Sequence, residues 1–172
     1  MRQLLILRHA KSSHKDESLG DYDRPLAGRG RRDSPRIGDW LAEQGLMPDY
    51  VVSSPAKRAR QTTRKVCKRV DFDRKQITWD ERIFDADSKT LIKVLADVPK
   101  EVDTVLLVGH SHGLESLILY LSDWADIPDE SKLLPTAAVA WFKTEKEWNK
   151  LGKGAAQLVS ITRPRNLPDS HS

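Results

Sequence analysis

Thr104-Val105-Leu106-Leu107-Val108 is an unbroken run with β-branched residues at three of its five positions. A strand can carry such a run only when both its faces are covered, as in a parallel sheet between helical layers. Leu4-Leu5-Ile6-Leu7 and Tyr50-Val51-Val52 read the same way, and Ile77 to Trp79, Ala138 to Phe142 and Leu158 to Thr162 are further strand candidates. Helical patterns fill the gaps. Ser34-Pro35 reads as a start, because proline is tolerated in a first helical turn, with Ile37, Trp40 and Leu41 on one face and Gly45 as the stop. Ser54-Pro55 repeats that start ahead of Ala59, Thr63, Val66 and Val70. Leu91, Val94 and Leu95 mark a third helix, and Leu114, Leu117, Ile118 and Leu121 a fourth. The alternation predicts an α/β fold with a mostly parallel central sheet and helices on both faces, in three α/β/α layers.

A chain of 172 residues fits one domain, taken here as residues 1–172. No apolar run approaches the ~18 residues of a transmembrane helix. The four apolar residues after Met1-Arg2-Gln3 are too few for a signal-peptide core. The single cysteine, Cys67, cannot form an internal disulfide, so the expected setting is the cytoplasm. Charge is unevenly spread: residues 1–75 hold 18 Lys/Arg and 10 Asp/Glu, net +8, while residues 76–172 hold 11 and 15, net −4. The first half therefore favours an anionic partner.

Ligands of open α/β sheets bind beyond the carboxyl ends of the strands. Arg8 and His9 follow the first strand; Ser53, Ser54 and a helix with Lys57, Arg58 and Arg60 follow the second. Gly109, His110, Ser111 and His112 follow the 104–108 run. Residues 9–32 show no periodicity, and structureless loops beyond about 12–15 residues are often functional. Helix N-termini suit a phosphate, arginine forks bind its oxygens in pairs, and a neutral histidine can attack phosphorus. The set describes phosphoryl transfer that needs no metal or other cofactor.

At these residues the chain resembles the histidine phosphatase superfamily, also called phosphoglycerate mutase-like. Leu7-Arg8-His9-Ala10-Lys11-Ser12 is similar to its Arg-His-Gly/Ala signature, Ser54-Pro55-Ala56-Lys57-Arg58-Ala59-Arg60-Gln61-Thr62 to its second motif, and Val108-Gly109-His110 to its third. Asp23-Arg24-Pro25-Leu26 with Arg29-Gly30, and the short length, resemble the SixA-like phosphohistidine phosphatases, over Arg2 to about Arg165. The resemblance implies a phosphoglycerate mutase-like fold without an inserted lid, and a phosphatase acting on phosphohistidine through phospho-His9. Arg8, Arg58 and His110 would hold the phosphoryl group, with Arg24 from the long loop and Ser111 as substrate-binding additions. Glu81 stands where many members place an acidic donor, with Asp85 and Asp87 as rivals. Ser111-His112-Gly113 replaces the frequent Asn-Pro-Gly, and His112 is read as facing solvent. The implied partner is a phosphorylated protein, such as a histidine phosphotransfer domain or a phosphocarrier. No nucleic acid or membrane is expected, and the chain is taken as a monomer.

Other readings stay open. A small-molecule phosphomonoesterase of the same superfamily is one. Gly109-His110-Ser111-His112-Gly113 also satisfies the G-x-S-x-G elbow of a serine hydrolase, though His171 is the only histidine after His112. A non-catalytic phosphate-binding module would use Arg8 and Arg58 but not His9. A cysteine phosphatase fails, because Asp73 stands six residues after Cys67. The Walker A pattern is absent, and His110-x-His112 lacks a third zinc ligand at convincing spacing. Arg29, Arg31, Arg32, Lys57 and Arg60 are read as general basic surface. Trp40, Trp124 and Trp141 are read as core or half-buried packing.

Overall fold

The apolar run at residues 4–7 forms the middle of β1 (Arg2–Arg8), a strand near the centre of a six-stranded sheet in the computed structural model. The structure describes residues 1–124, 127 and 132–167. In chain order follow α1 (Gly28–Glu43), β2 (Tyr50–Ser53), α2 (Lys57–Arg69), β3 (Thr78–Trp79), α3 (Ser88–Ala96), β4 (Thr104–Gly109), α4 (Ser111–Ser122), β5 (Val139–Thr144) and β6 (Gln157–Thr162). The strand order is β3-β2-β4-β1-β5-β6. The first four pair in parallel, and β5 runs antiparallel to both its neighbours.

Alternation along the pleat explains the unbroken runs. Leu4, Ile6, Val105 and Leu107 pack on one face with Leu91, Leu114 and Leu117 from α3 and α4. Leu5, Leu7, Leu106 and Val108 pack on the other with Ile37, Leu41 and Val66 from α1 and α2. Both faces are covered, and every residue of β4 is buried, Thr104 at its start being the one with a polar side chain. Among the described residues no helix is long and apolar enough to cross a membrane.

Three expectations are corrected. The first helix begins at Gly28, six residues before Ser34, and Pro35 lies inside it. Its first turn, Gly28 to Arg32, carries no apolar periodicity because tertiary contact holds it instead. Ala27 N–H donates to the Lys11 carbonyl at 2.8 Å, and a Cβ on Gly30 would stand 2.2 Å from that same oxygen. Interior proline costs a helix about 3 kcal/mol, and α1 nevertheless runs through Pro35. The stretch after His9 is correspondingly shorter than read, and it is not structureless. A bridge between Ser12 and Leu26 closes it, and Asp21–Asp23 form a turn of 3-10 helix.

The third correction concerns tryptophan. Trp40 and Trp141 are half-buried, but Trp124 is 70% exposed, just beyond the left-handed residue that ends α4. Trp148 is the buried one, and its indole N–H donates to the Val102 carbonyl at 2.8 Å. Its polar end is satisfied by a carbonyl 46 residues away, which local pattern does not report.

Candidate active site

Arg8 and Gly109 are register partners at the carboxyl ends of β1 and β4, and Ser53 is paired with Val108 one step below. The residues that follow, His9, Ser54 and His110, are therefore forced onto one sheet edge. His9 N–H extends the ladder to the Gly109 carbonyl at 3.0 Å. α2 and α4 both start at this edge, and neither has a side-chain cap on its N-terminal N–H groups. These groups are free to face an anion.

His9 is 6% exposed. Its Nδ1–H donates to the Ala10 carbonyl at 2.7 Å, and its Nε2 accepts from Arg58 Nε at 3.3 Å. An arginine can only donate, so these two partners select the tautomer whose lone pair is on Nε2. Burial pushes the His9 pKa down to about 3; the Ala10 hydrogen bond opposes this, while His110, Arg58 and Arg8 push it further down. A buried, neutral imidazole with a directed lone pair is chemically a nucleophile.

Arg58 links the two histidines. Its Nη2 lies 3.4 Å from His110 Nδ1, which must accept, so His110 Nε2–H donates to Ser54 Oγ at 2.8 Å. Burial lowers the His110 pKa to about 4, aided by the Arg58 cation and opposed by Asp21. The two imidazole centroids are 5.2 Å apart, and Phe84 packs edge-on against His110 at 5.4 Å. Thr62 ties the pieces together: it accepts from Ala10 N–H at 3.0 Å and donates to the Arg58 carbonyl at 2.8 Å.

Arg8 is half-buried and donates from Nη1 to the Leu134 carbonyl at 3.2 Å, while its buried Nε has no hydrogen-bond partner among the described residues. A buried donor left unmade costs about 1–3 kcal/mol. Arg24 reaches in from the loop after β1. It donates to Ser12 Oγ at 2.6 Å and to Asp21 Oδ1 at 2.8 Å. Asp21 binds Arg58 as well, through its backbone carbonyl and through Oδ2 at 3.1 Å. Hydrogen bonds from Arg24 hold the Asp21 carboxyl below the usual carboxylate range, and Arg58 acts in the same direction.

The three candidate acids are placed differently. Glu81 is exposed and accepts from Tyr22 O–H at 3.0 Å, on the rim beside Phe84. Asp85, at a left-handed φ of 61°, lines a cavity of about 200 Å³ with His110, Ser111 and His112. Asp87 caps α3, its carboxylate accepting from Thr90 N–H at 2.8 Å. A Cβ on Gly113 would stand 2.2 Å from the Ala86 carbonyl, so glycine lets α4 approach this acidic segment.

Thus Arg8, His9, Arg58 and His110 converge, Arg24 joins through Asp21, and Ser111 opens α4 beside them. His112 is exposed. Among the described residues no imidazole bonds Ser111, and its backbone lacks the positive φ of a strained elbow. His171 lies outside the described residues. Ser54 and Thr62 stand within the second motif, but their bonds to His110 and Ala10 carry no sequence signal, and Asp21 falls in none of the motifs. Asp23-Arg24-Pro25-Leu26 flagged the loop, but nothing local ties Asp21 to an arginine 37 positions away.

Comparison with known proteins agrees with this geometry. The family model for the histidine phosphatase superfamily (branch 1) matches residues 4–88. An uncharacterized protein of Mycobacterium tuberculosis (strain H37Rv) is 34% identical over 164 residues, covering 92% of this chain and all of the relative. One from Mycobacterium leprae is 30% identical over 166 residues, with 92% and 100% covered. A solved structure named for SixA from Nakamurella multipartitia superposes with a TM-score of 0.80 at 25% identity, covering 95% of this chain and 96% of the other. Another, from Agrobacterium tumefaciens, gives 0.77 at 27% identity, with 95% and 98% covered. The matching structures share the mostly parallel sheet architecture described above, which is phosphoglycerate mutase-like.

Proposed function

Because this chain belongs to the histidine phosphatase superfamily, we propose that it removes phosphate from phosphohistidine on a protein, through a covalent phospho-His9 intermediate. Membership and the SixA-like neighbours support phosphatase activity. The observation that carries the finer reading is the Nε2 lone pair of His9, held unprotonated by the Ala10 carbonyl on one side and faced by Arg58 on the other.

His9 Nε2 forms a bond to phosphorus while the bond from phosphorus to the substrate imidazole breaks. The substrate ring, protonated at its other nitrogen, leaves as neutral imidazole. His9 keeps its Nδ1–H on the Ala10 carbonyl, so the phosphorylated ring carries the positive charge that makes it a good leaving group in turn. Water then attacks phosphorus, and dihydrogen phosphate departs with both water protons, leaving neutral His9. Arg58 turns its donors from Nε2 to the phosphoryl oxygens, Arg8 Nε gains an acceptor, and His110 turns its Nε2–H from Ser54 Oγ to the same group. Arg24 and Ser111 extend the pocket. The steps need no metal and no general acid, and the reading places the reaction in the cytoplasm with a phosphotransfer domain or phosphocarrier as partner.

A phosphoester leaves as an alkoxide and does need an acid. Glu81 is the group on the rim that would serve, which keeps a small-molecule phosphomonoesterase as the second reading. The test is mixing with phosphoramidate in EDTA, quenching without acid, and mass spectrometry. An acid-labile phosphate on the His9 peptide that decays with phosphate release is the expected result, and His9→Ala should abolish it in a folded protein. Labelling of Ser111 by a fluorophosphonate, with no adduct on His9, would reject the reading. Turnover of esters far above phosphoramidate, lost in Glu81→Gln, would favour the second.

A further inference from the structure

A cavity of about 750 Å³ opens between the start of α1 and the segments around Pro135 and Pro164. Six cationic side chains line it, against one carboxylate among the described residues, Asp33. Asp33 is already engaged, by Arg36 at 3.2 Å and Arg29 at 3.8 Å. Several of the cations are held in place. Arg36 donates to the carbonyls of Pro164 at 2.9 Å and Leu167 at 2.7 Å, Arg163 to the Lys132 carbonyl at 3.1 Å, and Arg29 to Thr136 Oγ1 at 3.2 Å. Arg32, Lys132 and Arg165 are exposed at its mouth.

We propose that this cavity binds a soluble small molecule carrying two or more phosphate groups, at a site separate from the phosphoryl pocket at His9. Its volume lies in the usual small-ligand range of about 300–1,000 Å³. Arginines tethered before the ligand arrives lose little freedom on binding. The lining is net positive and concentrates potential on the contents of the cavity, and one phosphate meets only some of the cations Arg29, Arg32, Lys132 and Arg165. Pro135 and Pro164 add apolar surface for a ligand body. No aromatic side chain lines it among the described residues, so the stacking that single-stranded nucleic acid uses is missing.

The cavity is also wired to the catalytic edge. Thr136, bonded by Arg29, precedes Ala137, whose N–H is shared between the carbonyls of Arg8 at 3.1 Å and His9 at 3.2 Å. Leu134, just upstream, supplies the carbonyl that holds the Arg8 guanidinium.

The test is calorimetry with tripolyphosphate at about 0.1 M salt, which reads binding without turnover and so stands apart from the catalytic reading. Wild type and Arg58→Ala, in which the phosphoryl pocket is disabled, should both retain a site, with affinities within about threefold. Adding Arg32→Ala and Arg165→Ala to Arg58→Ala should weaken it at least tenfold, since two of the cations at its mouth are removed. Arg69→Ala with Arg74→Ala, an equal charge loss outside the cavity, should leave it unchanged. Loss of all binding in Arg58→Ala, or equal weakening by the control pair, overturns the proposal. So does an oligonucleotide that binds more tightly than tripolyphosphate through Arg32 and Arg165. If the alanine pair melts early, Arg32→Gln with Arg165→Gln replaces it.

Discussion

Asp21 Oδ2 accepts a hydrogen bond from Arg58 Nη2 at 3.1 Å, so the cation facing His9 is already paired with an anion of the chain itself. The same carboxylate holds Arg24. A phosphoryl group reaching Arg58 must compete with it. Asp21 is 61% exposed, and exposed pairs contribute about 0–1 kcal/mol. Asp21→Ala should therefore tighten inhibition by inorganic phosphate about two- to fivefold, and less so at high salt. Weaker inhibition in the variant would show that Asp21 orients Arg58 more than it competes.

Arg58 is the hub of the site, touching His9, His110 and Asp21. Charge-assisted hydrogen bonds contribute about 1.5–3 kcal/mol, so Arg58→Ala should slow phosphoramidate turnover on the order of 10–150-fold. Arg58→Lys keeps the charge but loses the fork and should recover only part of the loss. A change below about threefold in the alanine variant, measured as kcat/KM, would remove Arg58 from the mechanism.

The folded pKa values of His9 and His110, about 3 and 4, lie below the ordinary value of 6.5. Both are neutral when folded and take up protons when unfolded, so the unfolded state gains as pH falls. Stability should decline from pH 6.5 toward 4 by up to about 1.4 kcal/mol per pH unit for each imidazole, and the decline ends below the folded values. Urea melts between pH 7 and 4 should show this, with a shallower slope in His110→Asn. For the same reason the acid limb of kcat/KM should fall below pH 5. A limb centred near 6.5 would mean that His9 titrates freely.

Thr62 serves both Ala10 N–H and the Arg58 carbonyl from a fully buried position. Thr62→Val keeps the shape and leaves the Ala10 donor unmade, at about 1–3 kcal/mol. Urea denaturation should register that loss together with slower turnover, because Ala10 is also the anchor for His9 Nδ1. Unchanged stability would mean that another acceptor replaces the hydroxyl.

The sheet was legible because β1 and β4 are buried on both faces, and a doubly buried strand leaves an uninterrupted apolar run. Arg8, His9, Arg58 and His110 were legible because each ends or follows such a strand or lies in the first turn of the helix after it. The start of α1 was not. Its first turn is polar, and its support comes from Lys11 across the closed loop.

What the sequence determined by itself is what short-range order controls: the alternation of strands and helices, the residues placed at the strand ends, and a basic first half. The tertiary structure decided the partners. It set Asp21 on Arg58, Ser54 on His110 and Thr62 on Ala10, and it gathered Arg29, Arg32 and Arg165 around one cavity. The physical reason is that a hydrogen bond or a field depends on distances of a few ångströms. Chain positions dozens of residues apart acquire such distances only when the sheet register and the helix docking bring them together.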